Sequence, residues 1–386
     1  MLYTQELISS KEIQSYVPIN SKINSNIFSM LLDDNKVVAS YKMYWLLGIL
    51  EEVGLGNVEI QFKTIIARMI VYAWYPHRQY MLNFGASDNL KKPINYIASN
   101  YGFLANCNEK ELLEFIVNNE DKELKKMLKE LTYNVPYRLL SPFFNEIFSK
   151  NDSDTLRHKK IIEASLKSEI CLYKIIKGKT DKIVINDCWR EYLTENYRLI
   201  KSWIYYKLVC FLQKRNRNVP AIVFKLEAPK DRKLSEPTKL WKKIIASSSV
   251  TDIYTGKEFN ETNYNNFGKL SIDHFIPWSF VLHDEMWNLV PTFKNINSSK
   301  SNILLPFDKY IDDFCNIQYK AFSYACDKKE KNIIEEYANI LRVDNPYDYY
   351  KNCTKIVFSN NIKQCISPLY QIALNQGFQV VNKVFL

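Results

Sequence analysis

The sequence predicts a mainly α-helical chain with one embedded α+β module, and three features carry that prediction. Only nine of the 386 residues are glycine, while leucine, isoleucine, lysine and glutamate are abundant, a composition that favours helix over turns and strands. Apolar residues recur at helical spacing through much of the chain. The exception is 270–306, where β-branched and aromatic residues, a proline stop and a run of capping residues follow in the order strand, return strand, helix.

The elements follow in chain order. Residues 41–53 are apolar on most faces and read as a buried helix ended by Gly54 and Gly56. Residues 62–74 read likewise and stop near Pro76. A helix opens at Asn108-Glu109-Lys110-Glu111 and runs to about Asn118, and 120–131 carries Leu124, Met127 and Leu128 at helical spacing on a charged background. Residues 133–144, with Pro136 and Pro142, read as a loop or a short irregular element, and 154–168 and 187–212 as helices. A short strand is expected at 219–226 behind Pro220. Charged 227–238, with Pro229 and Pro237, reads as a linker. The predicted organisation is a helical N-terminal region at 1–226, the linker, the α+β module at 239–306 opened by a short helix at 239–247, and a C-terminal helical region at 307–386. Helices are expected there at 307–328, 330–341 and 367–377.

Composition narrows the function classes. A formal charge of +10 suits a polyanionic partner. The eight cysteines are dispersed without framework spacing, as in a reduced cytosolic protein. The excess of lysine, asparagine and isoleucine over arginine, alanine and glycine matches AT-rich bacterial genomes, so a cytoplasmic bacterial location is expected. Residues 1–10 lack a basic region followed by an apolar core, so no signal peptide is expected. The most apolar stretches, 41–53 and 65–75, are too short to span a bilayer, and no membrane partner is expected.

The chemistry-bearing residues lie in 271–302. The segment opens Ser271-Ile272-Asp273-His274-Phe275-Ile276-Pro277-Trp278-Ser279, continues through Asn288-Leu289-Val290, and reaches Asn297-Ser298-Ser299-Lys300-Ser301-Asn302. Successive side chains of a strand point to opposite faces, so Asp273 and His274 share a site only if the chain bends, as Pro277 permits. A hairpin followed by a helix would bring Asp273, His274, Asn288 and Asn297 to one place. A neutral imidazole is a good base for activating water near neutral pH. One carboxylate and one amide oxygen suffice as protein ligands for Mg²⁺.

This segment resembles the HNH endonuclease family, the ββα-metal or His-Me finger fold, in its Asp-His pair, the asparagine of the return strand, and the Asn-x-x-Lys before Leu305-Pro306. The tighter resemblance is to the HNH domains of RNA-guided CRISPR nucleases, whose Asp-His-Ile-x-Pro-x-Ser-Phe is met here by Asp273-His274-Phe275-Ile276-Pro277-Trp278-Ser279-Phe280. It covers roughly 250–306. The resemblance implies a hairpin-helix nuclease core flanked by helical regions. It implies His274 as general base and Asp273 and Asn297 as ligands of Mg²⁺ or Mn²⁺. Asn288 would orient the hairpin and the imidazole. The implied activity is endonucleolytic cleavage of DNA, with the N-terminal region serving recognition, a protein partner or regulation. Stand-alone relatives of this kind suggest a restriction or phage-defence effector. An RNA-cleaving or toxin-like nuclease and a catalytically silent nucleic-acid-binding module are the alternatives.

One departure concerns zinc. Many relatives carry two Cys-x-x-Cys pairs around the hairpin, whereas Asp252 and Thr255 occupy the first pair's positions and Phe293 and Ile296 the second's. Cys₄ ligation is excluded, no structural zinc is expected, and packing by Phe293, Ile296, Tyr254 and Phe259 is expected to replace it. Lys242 and Lys243, within a basic run from Lys230 to Lys243, and Lys300 are candidate phosphate contacts. The alternative for each is a solvated face. The other histidines, His77, His158 and His283, read as surface residues.

Overall fold

A computed structural model of the chain describes residues 17–33, 37–85, 87–217, 219, 221–228 and 234–382. It is mostly helical, with one three-stranded and one two-stranded antiparallel sheet among the described residues. The chain separates into two compact units, one up to Ala228 and one formed by the residues beyond it. Met1, Pro220, Pro229 and Lys230 lie outside the described residues, as do the remaining members of the basic run before Leu234.

In the N-terminal unit, helices Tyr41–Gly54 and Phe62–Tyr80 pack against each other, and helix Tyr197–Arg215 packs on the first of them. The approach of the first pair is close because Gly48 faces Ile65: a Cβ there would lie 3.0 Å from Ile65 Cγ2. Polar groups at this junction are paired. Glu51 accepts hydrogen bonds from Tyr72 and Tyr197 at 2.8 and 2.7 Å, and Arg68 Nε donates to Glu52 at 2.8 Å. Helix Phe62–Tyr80 runs through Pro76, which the sequence marks as a stop. Thirteen of its residues are buried, including Pro76 and His77, and burial of several large side chains at ~1.5–3 kcal/mol each outweighs one lost ladder bond. His77 is therefore a core residue, its Nε2 3.0 Å from Asn95 Oδ1, and not the surface histidine expected.

Three further expectations for this unit are corrected. The predicted strand at 219–226 is a 3₁₀ turn, Ile222–Lys225, entered through Ala221 at φ 53°, a left-handed conformation that ends any extended run. The predicted helix 187–212 is two helices, Asp187–Glu195 and Tyr197–Arg215, broken at Asn196. A sheet of β1 (Glu59–Gln61), β2 (Tyr173–Ile176) and β3 (Lys182–Ile185), in the order β1-β3-β2, was not anticipated.

The second unit is built around the hairpin of β4 (Leu270–His274) and β5 (Leu289–Phe293), registered so that Asp273 faces Val290 and His274 faces Leu289. A lone two-stranded hairpin is marginal in water. Here helix Phe307–Lys328 covers it: Phe314 stacks on Phe275 at 4.2 Å, and Gln318 Nε2 donates to Leu289 O at 2.8 Å. Helix Lys355–Asn375 packs on Phe307–Lys328 through Phe358 and Phe322, with Pro368 inside it, so that the expected helix at 367–377 is its second half. The 239–306 segment and the helices after 306 thus share one apolar core. Helix Ser235–Ser247 begins inside the stretch read as a linker. Pro237 lies in its first turn, where a missing N–H costs nothing, and Leu240, Trp241 and Ile244 bury one face. Among the described residues no helix is long and apolar enough to cross a membrane.

Candidate active site

The site begins with the hairpin's pleat. Ser271 and Asp273 fall on one face of β4, as period-two alternation requires, and His274 is the strand's last residue before the bend at 275–276. Asp273, His274 and Asn297 line one cleft of about 470 Å³, together with Ser271, Ser298 and Trp278. Asp273 and His274 are themselves buried, at 4% and 5% exposure.

Asp273 is held from two sides. Tyr254 donates its hydroxyl proton to Oδ2 at 2.5 Å, and Lys300 Nζ lies 2.9 Å from the same oxygen. Burial, then the Asp273 charge, push the Tyr254 phenol well above its ordinary range, so it stays a donor. Lys300, with only 1% exposure, also donates to the His274 carbonyl at 2.7 Å. Lys300 is therefore a buried strut between helix Lys294–Lys300 and β4, and the expectation that it contacts phosphate is corrected. Its stem packs into the core while its ammonium reaches back to the strand.

His274 Nε2 is 3.0 Å from Asp284 Oδ1. With Asp284 ionised, that contact fixes the proton on Nε2 and leaves Nδ1 as the basic nitrogen. No hydrogen bond to Nδ1 occurs among the described residues. The sequence had assigned to Asn288 the orientation of both the hairpin and the imidazole. Asn288 instead clamps the backbone: its Oδ1 accepts from Ile276 N and its Nδ2 donates to Ile276 O, each at 2.8 Å, and its carbonyl accepts from Phe275 N at 2.9 Å. It fixes the bend that follows His274, and among the described residues it makes no hydrogen bond to the ring.

Asn297 uses its Nδ2 twice, donating to Ser271 Oγ at 2.8 Å and to Ile272 O at 3.0 Å, so its Oδ1 remains as the acceptor. Asp273 Oδ1 is likewise outside the Tyr254 and Lys300 contacts. Two hard oxygens and an otherwise polar cleft fit a divalent cation such as Mg²⁺. The Lys300 ammonium offsets the Asp273 charge, so a phosphate oxygen would have to supply the remaining negative charge. Among the described residues no group of three or more His, Cys, Asp or Glu is placed to hold a metal ion.

A hydrogen-bonded turn stands at Asp252–Gly256, where the sequence was expected to replace a cysteine pair. Thr255 donates to Asp252 Oδ2 through Oγ1 at 2.6 Å and through its backbone N at 3.1 Å, and Gly256, at φ 70°, closes the turn. Asp252 is fully buried, and burial pushes its carboxyl up. This turn aims the Tyr254 hydroxyl at Asp273, while its ring packs against the unit's core, 5.8 Å from the Tyr310 ring. Phe293 packs instead with Phe259, Phe267 and Tyr264, at ring separations of 5.0, 5.4 and 6.0 Å.

The remaining candidates separate cleanly. His283 is half-buried, 4.9 Å from the Trp287 ring, and burial, then the field of His274, hold its pKa down. It lies within the hairpin loop but does not line the cleft with Asp273. Lys242 and Lys243 are exposed on helix Ser235–Ser247, and Lys243 sits 3.4 Å from Glu330. Reading the sequence alone missed Asp284 as the imidazole's partner and Tyr254 as the carboxylate's. The only available signal was a carboxylate ten residues after His274 in the hairpin loop.

Glu336 closes the back of that loop by accepting Met286 N at 2.6 Å. Burial, and then the neighbouring Glu285, push its pKa from 4.5 up to about 7. The folded state holds this proton more tightly than the unfolded chain. Stability therefore falls as pH rises through 4.5 to about 7 and stays reduced above that. Glu336→Gln, which keeps an acceptor for Met286, is expected to raise the melting temperature at pH 8 and to leave it nearly unchanged at pH 4.5. Thermal melts at both values check this.

Residues 252–305, which contain the turn, the hairpin and the Asn297 helix, match a family model described as HNH endonuclease. No curated protein and no solved structure matches the chain.

Proposed function

We propose that this chain, which carries an HNH endonuclease module, is a divalent-metal-dependent endonuclease that hydrolyses phosphodiester bonds in DNA. The observation that carries the reading is the His274–Asp284 contact of 3.0 Å beside a cleft shared with Asp273 and Asn297. His274 Nδ1 takes a proton from water, the water oxygen attacks phosphorus, and the bond to the leaving oxygen breaks, that oxygen keeping the bonding pair and taking a proton from solvent water. Asp284 holds the imidazole in the productive tautomer and stabilises the imidazolium that forms. Asp273 Oδ1 and Asn297 Oδ1 are the oxygens that would hold the cation. When bound, the cation supplies charge stabilisation on the phosphate oxygens. Lys300 keeps the Asp273 carboxylate oriented and does not act on substrate. Exposed Lys242 and Lys243, with the chain's charge of +10, support a track for a polyanion. The N-terminal unit is assigned to recognition or regulation.

The test is cleavage of supercoiled plasmid, linear duplex, single-stranded DNA and RNA with Mg²⁺ or Mn²⁺, each with and without chelator. DNA cleavage that chelator abolishes is expected. Cleavage of RNA alone would overturn the substrate assignment, and cleavage undiminished by chelator would overturn the metal. Asn297→Ala should weaken activity in Mg²⁺ and be partly rescued by excess Mn²⁺, because it removes one oxygen ligand and leaves the base in place. Titration of cleavage rate against each metal checks this.

A further inference from the structure

The family match ends at residue 305, yet the His274–Asp284 pair is tied down from beyond it. Asp284 reaches His274 from the loop between β4 and β5. That loop is partly bonded to itself. Glu285 N donates to His283 Nδ1 at 3.4 Å, Asn288 N donates to Glu285 O at 3.1 Å, and Trp287 Nε1 donates to the Glu285 carboxylate. These bonds fix the loop's shape and not where it sits against His274.

Its placement comes from helix Lys331–Leu341. Glu336 Oε2 accepts from Met286 N at 2.6 Å, across fifty residues of chain, and Glu336 borders the same groove as Asp284. The next residue, Tyr337, is fully buried and donates to Gln318 Oε1. Gln318 Nε2 in turn donates to Leu289 O at 2.8 Å, and Leu289 is the residue registered opposite His274. One helix therefore reaches both the strand facing the imidazole and the loop that carries its carboxylate. Met286 is itself fully buried. Without an acceptor its N–H would be a buried unsatisfied donor, which costs about 1–3 kcal/mol and favours a shifted loop. A shift of about 1 Å is enough to carry a contact of this length out of hydrogen-bond range.

We infer that Glu336 is a positioning residue of the cleavage site: from outside the HNH module it holds the Met286 backbone and so sets the Asp284–His274 contact. The inference rests on the assignment of His274 as the base.

Single-turnover cleavage of duplex DNA by the full chain with saturating Mg²⁺, measured beside DNA binding, tests it. Glu336→Met removes the acceptor and keeps the bulk. It is expected to lower the rate about tenfold, as loss of a group that orients a reacting side chain does, and to leave DNA binding unchanged. Glu336→Gln removes the same charge but keeps the acceptor, and should stay close to wild type. In an Asp284→Ala chain, Glu336→Met should add no further loss, because the two act through one contact. A second readout needs no cleavage. The His274 Nε2 proton, held against Asp284, should give a low-field, slowly exchanging proton resonance in wild type and in Glu336→Gln. It should be lost in Glu336→Met, Asp284→Ala and His274→Ala. Should Glu336→Met fail to fold, Glu336→Ala takes its place in both measurements. Wild-type cleavage by Glu336→Met would overturn the inference, as would an equal loss with and without Asp284. If the wild-type chain cleaves nothing, the activity proposed above fails and the resonance decides alone: its persistence in Glu336→Met would overturn the positioning role.

Discussion

Replacing His274 by alanine is expected to lower the phosphodiester cleavage rate by roughly 10²–10⁴, the usual worth of a positioned general base, while DNA binding persists. The basis is geometric: the imidazole is buried at 5% exposure, its Nε2 is engaged by Asp284 at 3.0 Å, and Nδ1 remains for water. Asp284→Asn should act in the same direction with a smaller effect, roughly 10–100-fold, since an amide can hold the ring but can turn either its oxygen or its NH₂ to Nε2 and so no longer fixes the proton there. His283→Ala should be nearly silent. Its ring leans on Trp287, 4.9 Å away, and does not enter the Asp273 cleft. Single-turnover rates with saturating metal separate these variants. No metal concentration should rescue His274→Ala, in contrast to Asn297→Ala.

The largest expected effect on stability belongs to Lys300. Its ammonium and the Asp273 carboxylate form an ion pair of 2.9 Å at 1% and 5% side-chain exposure. Removing one partner of a buried pair strands the other charge, at a cost of about 3–5 kcal/mol. Lys300→Met also deletes the hydrogen bond to His274 O. A melting-temperature loss on the order of 10 °C is expected for a unit of this size. The double variant Asp273→Asn/Lys300→Met removes both charges and keeps an acceptor for Tyr254, so it should recover most of that loss while remaining inactive. Equal melting temperatures for Lys300→Met and wild type would show that Lys300 is not the strut described here.

The hairpin and its helix were legible because their signals are local. Strand character at 270–275, the stop at Pro277 and the capping residues after Phe293 lie within a few residues of what they specify. What periodicity does not encode is which side chain reaches across. Asp284 meets His274 through a loop, and Tyr254 meets Asp273 from a turn 19 residues upstream. Lysine is usually a surface residue, so composition gives no sign that Lys300 is buried. That depends on helix Lys294–Lys300 ending against β4. The sheet of the N-terminal unit was missed because β1 pairs with β3, Glu59 opposite Val184. A three-residue strand is too short to show alternation. Pro76 misled because packing on both sides of the helix, and not local propensity, decides its length.

Chemical rescue tests the central claim, that His274 supplies the base, most directly. His274→Gly opens a space where a free imidazole can replace the side chain. The account predicts that this variant cleaves DNA hardly at all with saturating Mg²⁺, and that added imidazole restores cleavage in proportion to its neutral form. A His274→Gly protein that cleaves at the wild-type rate without imidazole would contradict it.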